Sequence, residues 1–76
     1  MVGIWTRQVE IAEQIAAAFE AEGAQTRTRI WEDKERGIVL VYVSRELSRG
    51  RRQIMGYVEV HPNMVWYRPG PAREEA

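Results

Sequence analysis

Six consecutive apolar residues, IVLVYV at positions 38–43, are the strongest strand signal in the sequence. Successive side chains of a strand point to opposite faces, so each face of this strand receives three apolar side chains. Both faces therefore need a cover. The rest of the chain supplies one convincing helix, which can cover one face and leaves the other to be explained.

The chain is short for burying a core by itself. Its 76 residues make one domain, which buries only roughly 60–65% of the surface of its unfolded chain. Chains of this size usually add disulfides, a metal or a partner subunit. Cys is absent and His61 is the only His, which excludes disulfides, thiolate sites and multi-histidine sites. We therefore expect no cofactor and no metal, and either a partner subunit or an unusually good core.

Charge and hydropathy bear on the location and on the surfaces. No apolar run approaches the roughly 20 residues that span a bilayer, and the first ten residues lack the signal-peptide pattern. We expect no membrane association and a cytoplasmic location. The net charge is zero, but it is segregated: residues 1–22 hold one Arg and four Glu, whereas residues 23–68 carry eight Arg and one Lys against five acids. This pattern predicts two surfaces of opposite sign.

The stretch TRQVEIAEQIAAAFEAEG, residues 6–23, predicts an amphipathic helix. Thr6 is a candidate N-cap, and Gly23 is a candidate C′ residue in the left-handed conformation. The segment Met1–Trp5 before it is left open between a short strand and an arm. At 100° per residue one apolar stripe forms, made of Ile11, Ala12, Ile15, Ala16 and Phe19.

Four strand patterns follow the helix. They are QTRTRIW, IVLVYVSRE, RRQIMGYVEV and MVWYR, separated by the turns EDKERG, LSRG and HPN. Gly37 is available for a positive φ, and Gly56 inside the third strand indicates a bulge or a close approach. We predict an α+β fold: one N-terminal helix packed on one face of a four-stranded antiparallel meander (α-β-β-β-β). Residues 1–68 form this domain, and residues 69–76 form a flexible tail.

Loop lengths assign each side chain to a face. Four-residue loops at 33–36 and 47–50 and a two-residue loop at 62–63 place Ile30 opposite Val39, Val39 opposite Val58, and Val60 opposite Val65. The predicted helix face then holds Thr26, Thr28, Ile30, Val39, Val41, Val43, Ile54, Gly56, Val58, Val60, Val65 and Tyr67. The predicted open face holds Arg27, Arg29, Trp31, Ile38, Leu40, Tyr42, Met55, Tyr57, Glu59, Met64, Trp66 and Arg68.

The open face is too apolar for a solvated sheet surface. Trp, Tyr, Met and Arg are the residues enriched at protein interfaces. We therefore predict a homo-oligomer, with a dimer favoured, in which two sheets pack face to face. The predicted interface is Trp31, Ile38, Leu40, Tyr42, Met55, Tyr57, Met64 and Trp66. A different protein that masks this face is an alternative.

Nucleic acid is a second candidate for the same face, because exposed aromatic rings stack single-stranded bases and Arg neutralises phosphate. The predicted contacts are Arg27, Arg29, Arg49, Arg51, Arg52 and Arg68. The plainer alternative is that these Arg side chains pair with Glu32, Glu46 or Glu59 at a solvated rim. Binding of a small ligand between subunits is a third alternative.

Nothing in the sequence predicts catalysis. His61 and Glu59 are the only pair suited to acid–base work, and His61 precedes Pro62 in a turn, where a solvated side chain is the more common case. Phosphate loops, catalytic triads and metal-ligand spacings do not occur. We expect a non-enzymatic binding, regulatory or adaptor protein.

Overall fold

The computed structural model describes residues 3–48 and 50–75, and beyond residue 69 it describes the backbone. Helix α1 spans Ile4–Glu22. It is followed by four strands, β1 Thr26–Asp33, β2 Ile38–Glu46, β3 Arg52–Val60 and β4 Val65–Glu75. The strands are antiparallel and lie in the order β1-β2-β3-β4. The predicted α+β meander with one N-terminal helix is confirmed.

Both ends of helix α1 differ from the prediction. The helix begins at Ile4, and the Arg7 N–H donates to the Gly3 carbonyl at 3.1 Å, so Gly3 is the N-cap residue rather than Thr6. Gly23 has φ −157°, which is extended and not left-handed. Of the undecided segment Met1–Trp5, the last two residues are helical, and Met1 and Val2 lie outside the described residues.

The core lies between helix α1 and the helix face of the sheet. The stripe predicted for α1 is confirmed, since its two Ala are buried and its Ile and Phe side chains pack against the same cluster. The fully buried members from the sheet are Val39, Val41 and Val60. Burying Val side chains stabilises a fold by about 1.5–3 kcal/mol each. This cluster covers one face of the strand IVLVYV.

The strand registers differ from the prediction by two residues. Ile30 pairs with Val41, because the first turn is Lys34–Gly37, one residue later than expected. Val39 pairs with Val60, because Glu46 pairs with Arg52, one residue later than expected, and a bulge in β3 adds one more residue. Gly37 has φ 68°, as predicted from its place in the turn. A shift of two residues keeps every side chain on its face, so the predicted faces survive up to the bulge described next. Val60 pairs with Val65 as predicted.

A bulge interrupts strand β3 at Met55 and Gly56, as the interior Gly indicated. The register shifts between Val43 and Ser44 on the β2 side, and Met55 has no partner in either ladder. Gly56 has φ 148°, which L residues rarely adopt. Because one residue is inserted, Ile54 pairs with Ser44 and lies on the open face. The prediction that Ile54 faces the helix is therefore wrong.

Strand β4 is longer than the sequence predicted. It continues past Arg68, and its backbone pairs Glu75 with Arg52. Pro69 lacks an N–H, but β4 is an edge strand, where Pro is tolerated. The predicted flexible tail, 69–76, thus overlaps this strand, and residue 76 lies outside the described residues. Flexibility of the segment stays a prediction.

A buried glutamine, which the sequence analysis missed, ties the start of α1 to two sheet segments. Gln8 is 3% exposed, and its Nε2 donates to the carbonyls of Gly37 and Val60, each at 2.9 Å. Both donor hydrogens of the amide are used. Gln8 therefore fixes the position of α1 relative to the β1–β2 turn and the end of β3.

Helix α1 covers only part of the helix face. It packs against β1, β2 and part of β3. On β4, Val65 is 49% exposed, and Tyr67 is 54% exposed although its ring lies 6.5 Å from that of Phe19. Strands lie about 4.8 Å apart and a helix is about 10 Å wide, so one helix cannot cover four strands.

Candidate functional site: the open face of the sheet

Two rows of side chains cross the open face at right angles to the strands. Direct cross-strand partners form the first row, Arg29, Tyr42, Tyr57 and Arg68. The second row lies nearer the β1–β2 and β3–β4 turns and holds Trp31, Leu40, Glu59 and Trp66. Within these two rows each edge strand thus contributes one Arg and one Trp, and the two Tyr of the first row lie between the edges.

Ring contacts hold these side chains in place. The Tyr42 and Tyr57 centroids are 5.7 Å apart in a tilted arrangement. The Arg29 guanidinium lies 5.9 Å from the Trp31 ring centroid. A cation near an aromatic face contributes about 0.5–1 kcal/mol at an exposed site, so the edge aromatics are oriented by their neighbours.

An ion cluster is centred on Glu59, the buried carboxylate of the second row. Glu59 is 6% exposed; its Oε2 accepts from Arg68 Nε at 2.8 Å, and its Oε1 lies 2.9 Å from His61 Nε2. The hydrogen bond with His61 holds the pKa of Glu59 below its usual value, and the positive charge of Arg68 acts in the same direction. Arg68 also lies over the Trp66 ring, 5.0 Å from its centroid.

This cluster bears on two expectations. His61 and Glu59, the only candidate acid–base pair, are brought together, but Arg68 occupies the second carboxylate oxygen. Arg27 pairs with Glu46 at 3.2 Å, as expected for a solvated rim, and Arg68 also pairs with Glu59, although Glu59 is buried. The three-residue arrangement has the geometry of a structural ion cluster, and the absence of catalysis stays a prediction.

The eight residues of the predicted interface differ in exposure. Ile38 and Leu40 are 2% and 4% exposed within the single chain, so they offer little surface to a partner. Leu40 is flanked by its cross-strand neighbours Trp31 and Glu59, whose side chains are longer. The exposed members are Trp31, Tyr42, Met64 and Trp66, and the half-buried members are Met55 and Tyr57. Met64 contacts Trp66 through its sulfur.

A cationic cleft occupies the end of the open face near the β2–β3 turn. Its volume is about 410 Å³, and it is lined by Arg27, Arg29, Arg52, Trp31, Tyr42 and Ser44, among others. Arg27 is held by Glu46 and by the carbonyls of Ala24 and Thr26. In the described part of the chain, neither Arg29 nor Arg52 forms an ion pair with a carboxylate. Among the described side chains, Arg27 is thus the only Arg of the cleft that is bound to a carboxylate, and Glu46 and Glu75 are the cross-strand neighbours of Arg52.

The structure sorts the six Arg that were predicted to contact nucleic acid. Three of them, Arg27, Arg29 and Arg52, line the cleft. Arg52 lies in the third strand, as the pattern RRQIMGYVEV predicts, and the bulge in β3 brings it onto the open face. Arg68 is committed to Glu59, and Arg51 lies in the β2–β3 turn, where its N–H donates to the Ser48 carbonyl. Arg49 lies outside the described residues.

Comparisons with known proteins leave the geometry as the basis for function. No helix in residues 3–48 and 50–75 has the length and apolar character needed to cross a membrane. Among the side chains of residues 3–48 and 50–69, no three His, Asp or Glu form a group that could hold a metal ion. No protein-family model, no curated protein and no solved structure matches the chain.

Proposed function

We propose that this protein is a small non-enzymatic binding or regulatory protein that acts as a homo-oligomer, with a dimer favoured, through the open face of its sheet. The observation that carries the proposal is the exposure of four large apolar side chains on or beside one face. Trp31 is 53% exposed, Trp66 is 46%, Met64 is 50% and Tyr42 is 37%. Exposed apolar side chains clustered in this way mark interaction sites.

The placement of the two tryptophans favours a second copy as the partner. Trp31 lies on the edge strand β1 and Trp66 on the edge strand β4, in the same row. In such a dimer two sheets stack with their open faces together, and a two-fold axis between them can run parallel to the strands. Strand β1 of one copy then lies over strand β4 of the other. Trp31 then lies opposite Trp66 of the partner subunit, so the surface is complementary to itself.

The ion cluster is compatible with such an interface. A charge buried without a partner costs several kcal/mol, whereas a paired and hydrogen-bonded charge costs much less. Glu59 already has Arg68 and His61 as partners within its own chain. A second sheet can therefore cover Glu59 without leaving a carboxylate unpaired.

The experiment compares two substitutions on adjacent residues of β4. Trp66→Glu places a charge on the open face, and Val65→Glu places the same charge on the opposite face at a similar exposure, 46% against 49%. The proposal predicts that Trp66→Glu has the mass of a monomer in light scattering and that Val65→Glu keeps the mass of the wild type. Equal masses for the two variants would contradict it.

A further inference from the structure

We infer that the cationic cleft at the β2–β3 end of the open face binds a nucleotide unit, with its phosphate on Arg29 and Arg52 and its base against Trp31 and Tyr42. The inference goes beyond the proposed assembly, because it assigns a ligand to side chains of this cleft. The shared chemistry is a phosphate beside a planar ring, which a free nucleotide and a single-stranded nucleic acid both present.

Charge is the first argument. Arg27, Arg29 and Arg52 converge on one cleft, and Arg27 alone is neutralised by a carboxylate, Glu46, in the described part of the chain. A cleft lined by three guanidinium groups attracts anions. Guanidinium groups bind phosphate with two parallel hydrogen bonds, which makes phosphate the anion that suits them.

Shape and chemistry of the wall are the second argument. The cleft measures about 410 Å³, within the range of about 300–1,000 Å³ that small-ligand sites occupy. Trp31 and Tyr42 are exposed aromatics at its side, and bases stack on such rings. Ser44, which also lines the cleft, is a neutral residue with a hydrogen-bonding hydroxyl.

An acidic peptide is the main competing occupant, since its carboxylates also bind Arg. It offers no planar ring for Trp31 and Tyr42, so it would use only part of the cleft. Polyglutamate therefore serves as the control ligand that represents an acidic peptide.

The test is fluorescence anisotropy with labelled oligo-dT and oligo-U at low and at moderate salt. Unlabelled mononucleotide and inorganic phosphate serve as competitors. Arg52→Gln and Arg29→Gln are expected to weaken binding, each lowering the slope of log K against log salt by about 0.7. Trp31→Ala is expected to weaken it roughly 5- to 150-fold through lost stacking. Arg45→Gln is the matched control, because Arg45 is exposed and pairs with Thr26 and Gln53, away from the cleft.

The outcomes separate this inference from the proposed assembly. Competition by mononucleotide supports a free nucleotide as the ligand, and binding of the oligonucleotides alone supports a single strand. The same assay on Trp66→Glu, which keeps the cleft, is expected to show binding as tight as the wild type or tighter. No binding at low salt by either protein, equal weakening by Arg52→Gln and Arg45→Gln, or equally tight binding of polyglutamate would overturn the inference.

Discussion

Arg68 and Glu59 are joined across strands β3 and β4, with Arg68 Nε 2.8 Å from Glu59 Oε2, so that a buried carboxylate lies in the middle of the open face. Glu59 is 6% exposed although it lies on the face that no helix covers. Its partners are Arg68 on one oxygen and His61 on the other. The open face is thus an ordered surface with its central charge already paired, which suits a preformed interface.

Acid is expected to destabilise the protein through this carboxylate. The folded-state pKa of Glu59 lies below its ordinary value of 4.5. Between those two pKa values the unfolded chain binds more protons than the folded chain. The contribution of Glu59 to the free energy of unfolding is therefore fully present above pH 4.5, and it is lost as the pH drops through the folded-state pKa. Urea unfolding at a series of pH values from 7 to 3 measures this.

The variant Glu59→Gln isolates the contribution of the carboxylate. At pH 7 it is expected to be about 1.5–3 kcal/mol less stable than the wild type, which is typical of lost hydrogen bonds to a buried charged group. The difference between the two proteins is expected to shrink as the pH falls below 4.5. A difference that stays constant from pH 7 to pH 3 would show that the charge of Glu59 does not stabilise the fold.

Gln8 is expected to be the most sensitive polar residue of helix α1. Gln8→Met keeps the length of the side chain but removes both donors to the Gly37 and Val60 carbonyls. Unsatisfied buried groups cost about 1–3 kcal/mol, and urea unfolding is expected to show a loss of that order. Gln14→Met is the matched control, because Gln14 is exposed on the same helix. Equal stability of the two variants would count against the role given to Gln8.

Nucleotide binding and assembly are expected to compete, because Trp31 and Tyr42 belong both to the cleft and to the proposed interface. A ligand that binds one state only shifts the equilibrium towards that state. Oligo-dT added at low salt is therefore expected to raise the fraction of monomer in sedimentation experiments. Oligo-dT that binds and leaves the monomer fraction unchanged would show that the two surfaces are separate.

Periodic patterns made the elements and most of the two faces predictable. The 3.6-residue period of the stripe from Ile11 to Phe19 and the alternation in TRTRIW depend on local chemistry, which the sequence displays. The predicted register was off by two residues, but the side chains were still assigned to the correct faces, because the alternation of faces has a period of two. The position of Gly56 even indicated the bulge.

The rest depends on tertiary contacts that no local pattern encodes. The bulge inserts one residue and so moves Ile54 and Arg52 onto the open face, which created a cleft that the sequence analysis did not foresee. Gln8 resembles any other polar helix residue until its two carbonyl partners are known. Burial of Leu40 depends on Trp31 and Glu59 from the neighbouring strands, which only the assembled sheet brings together.

The central claim is that the open face is covered by a second copy of the chain. The most direct measurement is the mass of the wild-type protein in solution, by light scattering after gel filtration at low and at high salt. An interface built on Trp31, Met64 and Trp66 is largely apolar and therefore insensitive to screening. The account predicts a dimer or larger species at both salt concentrations, and a monomer at both would contradict it.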